Sequence, residues 1–447
     1  MCNCTPHILL AHLLGLLLGI VVIAELVRRR FGPRLFWCAI YAMSLTMAAY
    51  VFKVSEPWPY FDDFKVYWIA GSAALRGPNA VADLYGVGVD GFVNMPILAY
   101  LFAPIAILPQ FPAAMIFLLI GIVLTLVAWR LLSRAADLND HAKALLLFIT
   151  AAFGPLLYSI REGNTAHMLL VLIVGAMLLL RERRDALAGA ALGFAALIKP
   201  PLLLLGVYFV LRGRWHAVLG GAGIVVTISL ASLALFGWSA HVHWYETSIA
   251  PYARDPVPAM NVHSIAAALA RLQYGPTSLL DWQPRKLATP LQILATASNI
   301  LLVGLALASA LAPRSKAARP VSRQVIFETE LLIALMLATT ISPLSWSHYY
   351  VWLLIPIAFF VGRTQHFCST LPGRGIGWLA VVVAAPPVVR LSFDQTLLSE
   401  LHGRIGSSHL LIGGLAILGL LIWSRWRMRE ASSSTINLDQ PLSAAPS

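Results

Sequence analysis

Four ionisable residues stand out in this chain because strongly apolar sequence surrounds them. Asp62 and Asp63 are adjacent in the stretch YFDDFKVYW, Lys199 lies within AALIKPPLLLL, and His348 lies within SPLSWSHYY. A carboxylate can accept the proton of a hydroxyl while the hydroxyl oxygen forms a new bond. A lysine or a histidine in an apolar site can bind a phosphate. Together, these residues predict a reaction between a hydroxyl and an anionic substrate.

Two of these features also have a purely structural interpretation. Asp62 and Asp63 precede a helix-like segment, and aspartate is a good N-cap residue whose charge favours a helix N-terminus. Two adjacent acids allow one to cap the helix and the other to act as a base. Lys199 can extend its amine from a short helix end to the membrane interface. Alternatively, it lines a wet cavity at the backbone break of Pro200 and Pro201.

The composition defines the class of protein that must position these residues. Of the 447 residues, 59% are hydrophobic and only 12% are charged, and the mean hydropathy is +0.77. A soluble domain carries about 25% charged residues. Apolar runs near the ~20 residues that cross a bilayer recur along the chain, without the alternation of outer-membrane strands. We therefore predict an all-α polytopic membrane protein in a bacterial inner (plasma) membrane.

The apolar runs predict a bundle of about twelve to thirteen transmembrane helices. The basic clusters between the runs are all cytoplasmic if the N-terminus is outside and the C-terminus inside. Residues 95–109 are short for a span and would invert this topology if they crossed, so we interpret them as an interfacial or re-entrant half-helix. The predicted spans are 8–26, 35–52, 112–131, 144–160, 165–180, 217–236, 290–311, 326–342, 349–361, 376–391 and 409–424, with a broken pair at 186–198 and 201–211.

This topology places three polar segments on the outer face. They are a first outer loop at 53–94, a large outer loop at 237–288 and a turn at 342–350. Within the two loops, helical spacing of apolar and aromatic residues predicts interfacial helices at 64–75 and 261–272.

The remaining features define the domain and exclude two kinds of partner. We predict one transmembrane domain at 1–429 and a disordered cytoplasmic tail at 430–447. The net charge of +12 lies in short clusters between apolar runs, which argues against a nucleic-acid partner. His241 and His243 form an HxH pair, but no third ligand follows them at the spacing of a metal site.

Several longer motifs follow one another between about residue 60 and residue 361. They are DFKVYWIAGSAALRG, NMPILAYLFAPIAILP, LAGAALGFAALIKPPLLLL, NVHSIAAALARL and SPLSWSHYYVWLL. In this order they resemble glycosyltransferase family 87 of the GT-C superfamily, which comprises polyprenyl-phosphate-sugar-dependent mannosyltransferases and their arabinosyltransferase relatives. Each apolar motif is weak alone, whereas their shared order is specific. The resemblance implies a GT-C-like bundle with interfacial helices in its outer loops.

The resemblance also assigns roles to individual residues. It implies that Asp63 is the catalytic base, and Asp62 is the second candidate for this role. The family's Gly-Gln-x-Asn turn reads Gly163-Asn164-Thr165-Ala166 here, so its second amide is missing, and the span 8–26 is additional to the usual pattern. The donor-binding residues that we predict are Lys199, His348, Arg161, Asn164, Asn261 and Ser264.

The implied reaction is inverting transfer of a sugar from a polyprenyl-phosphate carrier to a hydroxyl of a glycolipid or glycan acceptor at the outer face. Protein cations neutralise the departing phosphate, so the chemistry requires neither a metal nor a cofactor. The predicted partners are the donor, the acceptor and membrane lipid. The alternative is a transporter or flippase of an anionic lipid or solute that uses the broken helix 186–211. The resemblance favours mannose as the sugar, although mannose and arabinofuranose donors share this scaffold.

Overall fold

Helices form nearly all of the regular structure in the computed structural model, which describes residues 6–30, 32–54, 60–85, 91–311, 319–367, 370–389 and 396–430. The first ten helices are α1 (Pro6–Arg28), α2 (Pro33–Val54), α3 (Asp62–Arg76), α4 (Pro78–Ala82), α5 (Ala99–Ala106), α6 (Gln110–Ala135), α7 (Asp140–Ala152), α8 (Gly154–Glu162), α9 (Leu169–Arg181) and α10 (Asp185–Ile198). The next ten are α11 (Leu203–Leu211), α12 (Trp215–Ser248), α13 (Ala250–Arg254), α14 (Ile265–Tyr274), α15 (Thr289–Leu311), α16 (Arg323–Thr340), α17 (Leu354–Val361), α18 (Leu371–Ala384), α19 (Thr396–Arg404) and α20 (His409–Trp426). Two short strands, β1 (Arg319–Val321) and β2 (Met428–Glu430), pair in parallel.

The predicted all-α polytopic class is confirmed. Within the described residues, six helical segments are long and apolar enough to cross a membrane, and α7 with α8 forms a seventh candidate that is bent by 53°. Six shorter apolar helices accompany them. The predicted span 144–160 corresponds to the bent pair, and the predicted half-helix at 95–109 is found as a short helix, Pro96–Ala106, that ends before α6.

The longest helix, α12, bends at Gly237. Gly237 has φ 75° and ψ 169°, outside the helical region, and glycine adopts a positive φ without the steric cost of a Cβ. The predicted span 217–236 ends one residue before this bend. His241 holds the bend, since its Nδ1 lies 2.8 Å from the Gly237 carbonyl and its Nε2 lies 2.9 Å from the Ser232 hydroxyl.

Helix α16 runs through the centre of the bundle. Every side chain from Ile326 to Thr340 is buried, in a core that α7, α8, α9, α17 and α20 also line. We call the end of the bundle that carries α3, α14 and the turn at 342–350 the α3 end. The opposite end, where α16 begins, we call the Glu328 end. The predicted tail at 430–447 lies outside the described residues except for its first residue.

Candidate active site

Helix α3 starts without a side-chain cap. Its N-cap is Phe61, whose φ of 65° is left-handed, while Asp62 and Asp63 already belong to the first helical turn. The Phe61 amide donates to the Arg161 carbonyl at 2.9 Å, which fixes the helix start against α8. The prediction that one aspartate is the N-cap is therefore wrong, because a capping side chain must come from a residue outside the helix. Both negative charges still interact favourably with the positive end of the helix dipole.

The helix separates the two acids. Asp63 continues the inward face that contains the buried Tyr67, Ala70 and Ala74, because residues four and seven apart share one face of a helix. Asp62 is exposed and Asp63 is half-buried. Only Asp63 therefore faces the interior of the protein.

The turn after α8 holds Asp63. Asn164 is buried and donates from Nδ2 to Asp63 Oδ2 at 2.6 Å. Gly163 ends α8 with φ 66°, and a Cβ at this position would lie 2.5 Å from the Phe64 Cβ. Glycine is required here by both its conformation and its lack of a side chain, and this allows the turn to approach the start of α3.

Lys199 reaches the same place from the break between α10 and α11. Its backbone is extended, with φ −132° and ψ 90°, because a following proline disfavours the helical conformation. The side chain is 6% exposed, its Nζ lies 5.3 Å from the centroid of the Tyr349 ring, and its charge interacts with that of Asp63. A buried amine beside Tyr349 and Asp63 excludes the snorkelling interpretation.

His348 completes this group from the turn after α16. Its ring stacks on Trp346 at 6.2 Å between centroids and meets Tyr349 edge-on at 5.0 Å. The residue is 6% exposed, and within the described residues its Nε2 has no hydrogen-bond partner. His348 is close enough to Lys199 for their charges to interact. We call Asp63, Lys199 and His348 the site triad.

Burial raises the pKa of the Asp63 carboxyl above its ordinary value. The Asn164 amide and the positive charge of Lys199 act in the opposite direction, because both favour the ionised carboxylate. A carboxylate with a raised pKa is a stronger base when ionised. Asp63 therefore has the electrostatic surroundings that suit proton abstraction.

Two other predicted site residues make contacts within the protein. The Asn261 amide donates to the Tyr158 hydroxyl at 3.2 Å and accepts from Trp282 Nε1 at 3.1 Å. The Ser264 hydroxyl caps α14 by accepting from the Ala267 amide at 3.1 Å. Both residues therefore shape the loop beside the site triad, and their predicted contact with a donor stays a prediction.

Two buried arginines support the site from different sides. Arg161 lies over the Tyr60 ring at 5.1 Å and beside Tyr158. Arg271 donates to the carbonyls of three loop residues and to Ser408 Oγ. The three carbonyls belong to Pro258, Ala259 and Val262. Arg271 thereby fixes the loop that carries Asn261.

The structure adds residues that the sequence analysis missed. Tyr67 contacts Asn164 at 3.4 Å, Tyr349 lies under the Lys199 amine, and Glu162 is buried within electrostatic range of Asp63. Tyr67 had a usable signal, because it follows Asp63 by four residues and must share its helix face. Glu162 had none, since its proximity to Asp63 depends on how α8 packs against α3.

The sequence predicts no metal, because protein cations can neutralise the departing phosphate and because the HxH pair has no third ligand. His241 holds the bend of α12, and His243 meets the Tyr85 ring edge-on at 6.5 Å. In the parts of the chain that the structure describes, no group of three or more His, Cys, Asp or Glu is placed to hold a metal ion.

Comparison with known proteins identifies the family. The model of glycosyltransferase family 87 matches residues 92–343, which is more than half of the chain. The chain belongs to glycosyltransferase family 87. This membership favours a membrane glycosyltransferase over the transport alternative. Within this family 87 glycosyltransferase, the matched range includes Asn164 and Lys199 but begins after Asp63 and ends before His348.

Curated relatives extend the similarity over nearly the whole chain. A polyprenol-phosphate-mannose-dependent alpha-(1-2)-phosphatidylinositol mannoside mannosyltransferase of Mycolicibacterium smegmatis is 25% identical over 92% of this chain and 94% of its own length. A Mycobacterium tuberculosis protein of the same name is 27% identical over 74% and 78%. A phosphatidylinositol pentamannoside mannosyltransferase of M. smegmatis is 26% identical over 82% and 86%. No solved structure matches this family 87 glycosyltransferase.

Proposed function

We propose that this glycosyltransferase moves mannose from a polyprenyl-phosphate carrier to a hydroxyl of a glycolipid acceptor, with inversion at the sugar. The observation that carries the proposal is the convergence of the site triad, which brings one carboxylate, one buried amine and one imidazole together from three separate elements. The names of the curated relatives support the choice of mannose, of the carrier and of a glycolipid acceptor.

The proposed chemistry is a single displacement. Asp63 takes the proton of the acceptor hydroxyl while the hydroxyl oxygen bonds to the anomeric carbon of the sugar. The bond between that carbon and the carrier phosphate breaks at the same time, and the phosphate leaves with one additional negative charge. Attack opposite to the leaving group inverts the anomeric centre.

Lys199 and His348 act on the departing phosphate. A buried ammonium and an imidazole N–H stabilise the charge that develops there, and this interaction is strongest where water is excluded. The phosphate thus meets the Lys199 ammonium and the His348 imidazole directly, so we propose that transfer needs no divalent metal.

The α3 end faces the outside of a bacterial plasma membrane in this proposal. The Glu328 end carries Arg181, Arg212 and Arg425, and loops rich in arginine and lysine stay in the cytoplasm. The α3 end is then on the outer face, together with the site triad.

The test is transfer by the purified protein in liposomes. Polyprenyl-phosphate-[¹⁴C]mannose and a phosphatidylinositol mannoside should give a labelled glycolipid, at the same rate with and without EDTA. By NMR, the transferred mannose in the product should have the anomeric configuration opposite to that in the donor. Transfer of arabinofuranose but not mannose would contradict the assignment of mannose as the sugar. Movement of the carrier across the bilayer without sugar transfer would contradict the proposed glycosyltransferase reaction.

A further inference from the structure

We propose that Asn164 is a positioning residue that holds Asp63 Oδ2 and leaves Oδ1 as the oxygen that accepts the proton. This inference rests on the proposed role of Asp63 as the base. It gives Asn164 a different role from the donor contact that the sequence predicts.

The orientation of the Asn164 amide is fixed by its own turn. Its Oδ1 accepts the backbone N–H of Ala166 at 2.9 Å, so its Nδ2 must point the other way, toward Asp63. A flipped amide would place an oxygen against the carboxylate and an NH₂ group against the Ala166 N–H. Both contacts would be repulsive, so the hydrogen-bond network decides the assignment.

The amide has little capacity left for a substrate. Its two N–H groups point to Asp63 Oδ2 at 2.6 Å and to the Tyr67 hydroxyl at 3.4 Å, and its oxygen is bonded to Ala166. An amide has two donor hydrogens, and both are engaged within the protein. A sugar would have to break one of these contacts in order to bind Asn164 through its N–H groups.

The same contact makes the two oxygens of Asp63 unequal. Among the described residues, Asn164 is the only one that donates a hydrogen bond to this carboxylate, and it donates to Oδ2. Oδ1 therefore keeps its lone pairs for an incoming hydroxyl. A charge-assisted bond of this kind also restricts rotation of the carboxylate, which keeps Oδ1 in one direction during the reaction.

Several charges surround Asp63 and determine what the amide contributes. Lys199 favours its ionised form, whereas Asp62 disfavours it. Glu162 also lies within electrostatic range of Asp63. The neutral tyrosines Tyr67, Tyr158 and Tyr349 lie within range as well.

The donated N–H of Asn164 opposes the effect of burial, because it stabilises the carboxylate and not the acid. Without this N–H, more of Asp63 is protonated at neutral pH.

Two substitutions separate positioning from other roles. Asn164→Asp keeps an oxygen for the Ala166 N–H and so keeps the turn, but it removes the donor and adds a carboxylate beside Asp63. Asn164→Ala removes the donor without adding charge. Tyr67→Phe is the control, since it removes the 3.4 Å contact of the same amide but leaves the bond from Asn164 to Asp63 Oδ2 in place. Folding of each variant is checked by gel filtration in detergent.

The readout is kcat and donor KM as a function of pH. We expect kcat at neutral pH to fall at least ~10-fold in both Asn164 variants, with the acid limb moved upward by at least about one pH unit. Activity should recover in part at high pH, and donor KM should stay within about twofold, as expected for a group that acts in the transition state. Tyr67→Phe should keep the wild-type acid limb.

The outcomes also separate this inference from the proposed function. If Asp63→Asn is inactive and either folded Asn164 variant keeps the wild-type acid limb, Asn164 does not position the base. A raised donor KM with unchanged kcat would return Asn164 to donor binding. A fully active Asp63→Asn variant would contradict the assignment of Asp63 as the base, and the proposed role of Asn164 would fail with it.

Discussion

The two ends of the bundle, which helix α16 connects, differ in how their buried charged groups are paired. At the Glu328 end, Glu328 pairs with Arg181, accepts from Gln324 at 2.7 Å and contacts His366 Nε2 at 2.9 Å. Two residues later, Glu330 accepts from Arg425 at 2.7 Å and from Arg212 at 2.6 Å.

At the α3 end the corresponding groups are left incomplete. In the described parts of the chain, the Lys199 amine makes no hydrogen bond or ion pair and lies over the Tyr349 ring, and His348 Nε2 has no hydrogen-bond partner. Asp63 is held through one of its two oxygens. Buried polar groups are almost always satisfied in folded proteins, so a cluster with free capacity indicates where a ligand supplies the missing partners.

The difference distinguishes charges that are paired within the bundle from charges that we propose bind substrate. A saturated cluster resists change, because removal of one partner leaves the others buried without compensation. An unsaturated cluster loses little stability on substitution but loses its ligand. The following predictions test this contrast in order of expected effect.

The largest effect is expected at Asp63, the proposed base. Asp63→Asn keeps the size of the side chain but removes the proton acceptor, so the transfer rate at saturating donor and acceptor should fall ~10²–10⁴-fold. Asp62→Asn is the matched control, since Asp62 is exposed on the same turn, and its rate should stay near that of the wild type. A dead Asp62→Asn beside an active Asp63→Asn would transfer the role to Asp62.

The next largest effect is expected at the Glu328 end. Glu330→Gln leaves Arg425, which is 2% exposed, without its anion, and breaking a buried pair in this way costs about 3–5 kcal/mol. We expect a lower thermal midpoint and a lower folded yield in detergent, with donor KM unchanged in the folded fraction. A raised donor KM at unchanged stability would contradict the structural role.

For Lys199 we expect the opposite pattern, in which donor KM rises and stability is kept. Lys199→Met removes a charge-assisted contact with the donor phosphate, so donor KM should rise roughly 10–100-fold. Thermal stability should stay the same or increase, because a buried charge without an ion-pair partner is lost. Lys65→Met, at an exposed position of α3, should change neither quantity. Normal donor binding by Lys199→Met would assign Lys199 to another role.

The smallest effect is expected at Ser264. Ser264→Ala removes the cap of α14, which should cost ~1 kcal/mol of stability. The cap does not touch the site triad, so kcat and donor KM should stay within about twofold of the wild type. A selective rise in donor KM would instead support the donor-binding role that the family resemblance implies.

The sequence predicted the helices well because apolar length is what a bilayer requires. The broken pair at 186–198 and 201–211 matches α10 and the short helix Pro200–Leu211, since two prolines in a row must interrupt a helix. The bend between α7 and α8 was not predicted. It lies at Phe153, directly before Gly154 and Pro155. A proline in the first turn marks a helix start, a signal in the sequence that hydropathy alone does not register.

The sequence singled out three residues that the structure brings together, but it did not predict the contacts that hold them. Asp63, Lys199 and His348 were found because an ionisable group in apolar sequence requires a reason. The hydrogen bond between Asn164 and Asp63 joins residues 101 positions apart, and it depends on the left-handed turn at Gly163. Tertiary packing determines such a contact, and no local pattern encodes it.

The contacts of Arg271 determine how much of the chain must be synthesised before this part of the fold is complete. Its guanidinium fixes the loop at 258–262 but also needs Ser408, which a ribosome adds 137 residues later. Glu330 likewise waits for Arg425, and β1 waits for β2. During synthesis, Arg271 and Glu330 therefore each lack one of their partners until residues 408–425 have been made, since domains form from the N-terminus as they are made. A ribosome that stalls before Ser408 therefore leaves one contact missing at each end of the bundle, Ser408 with Arg271 at the α3 end and Arg425 with Glu330 at the Glu328 end.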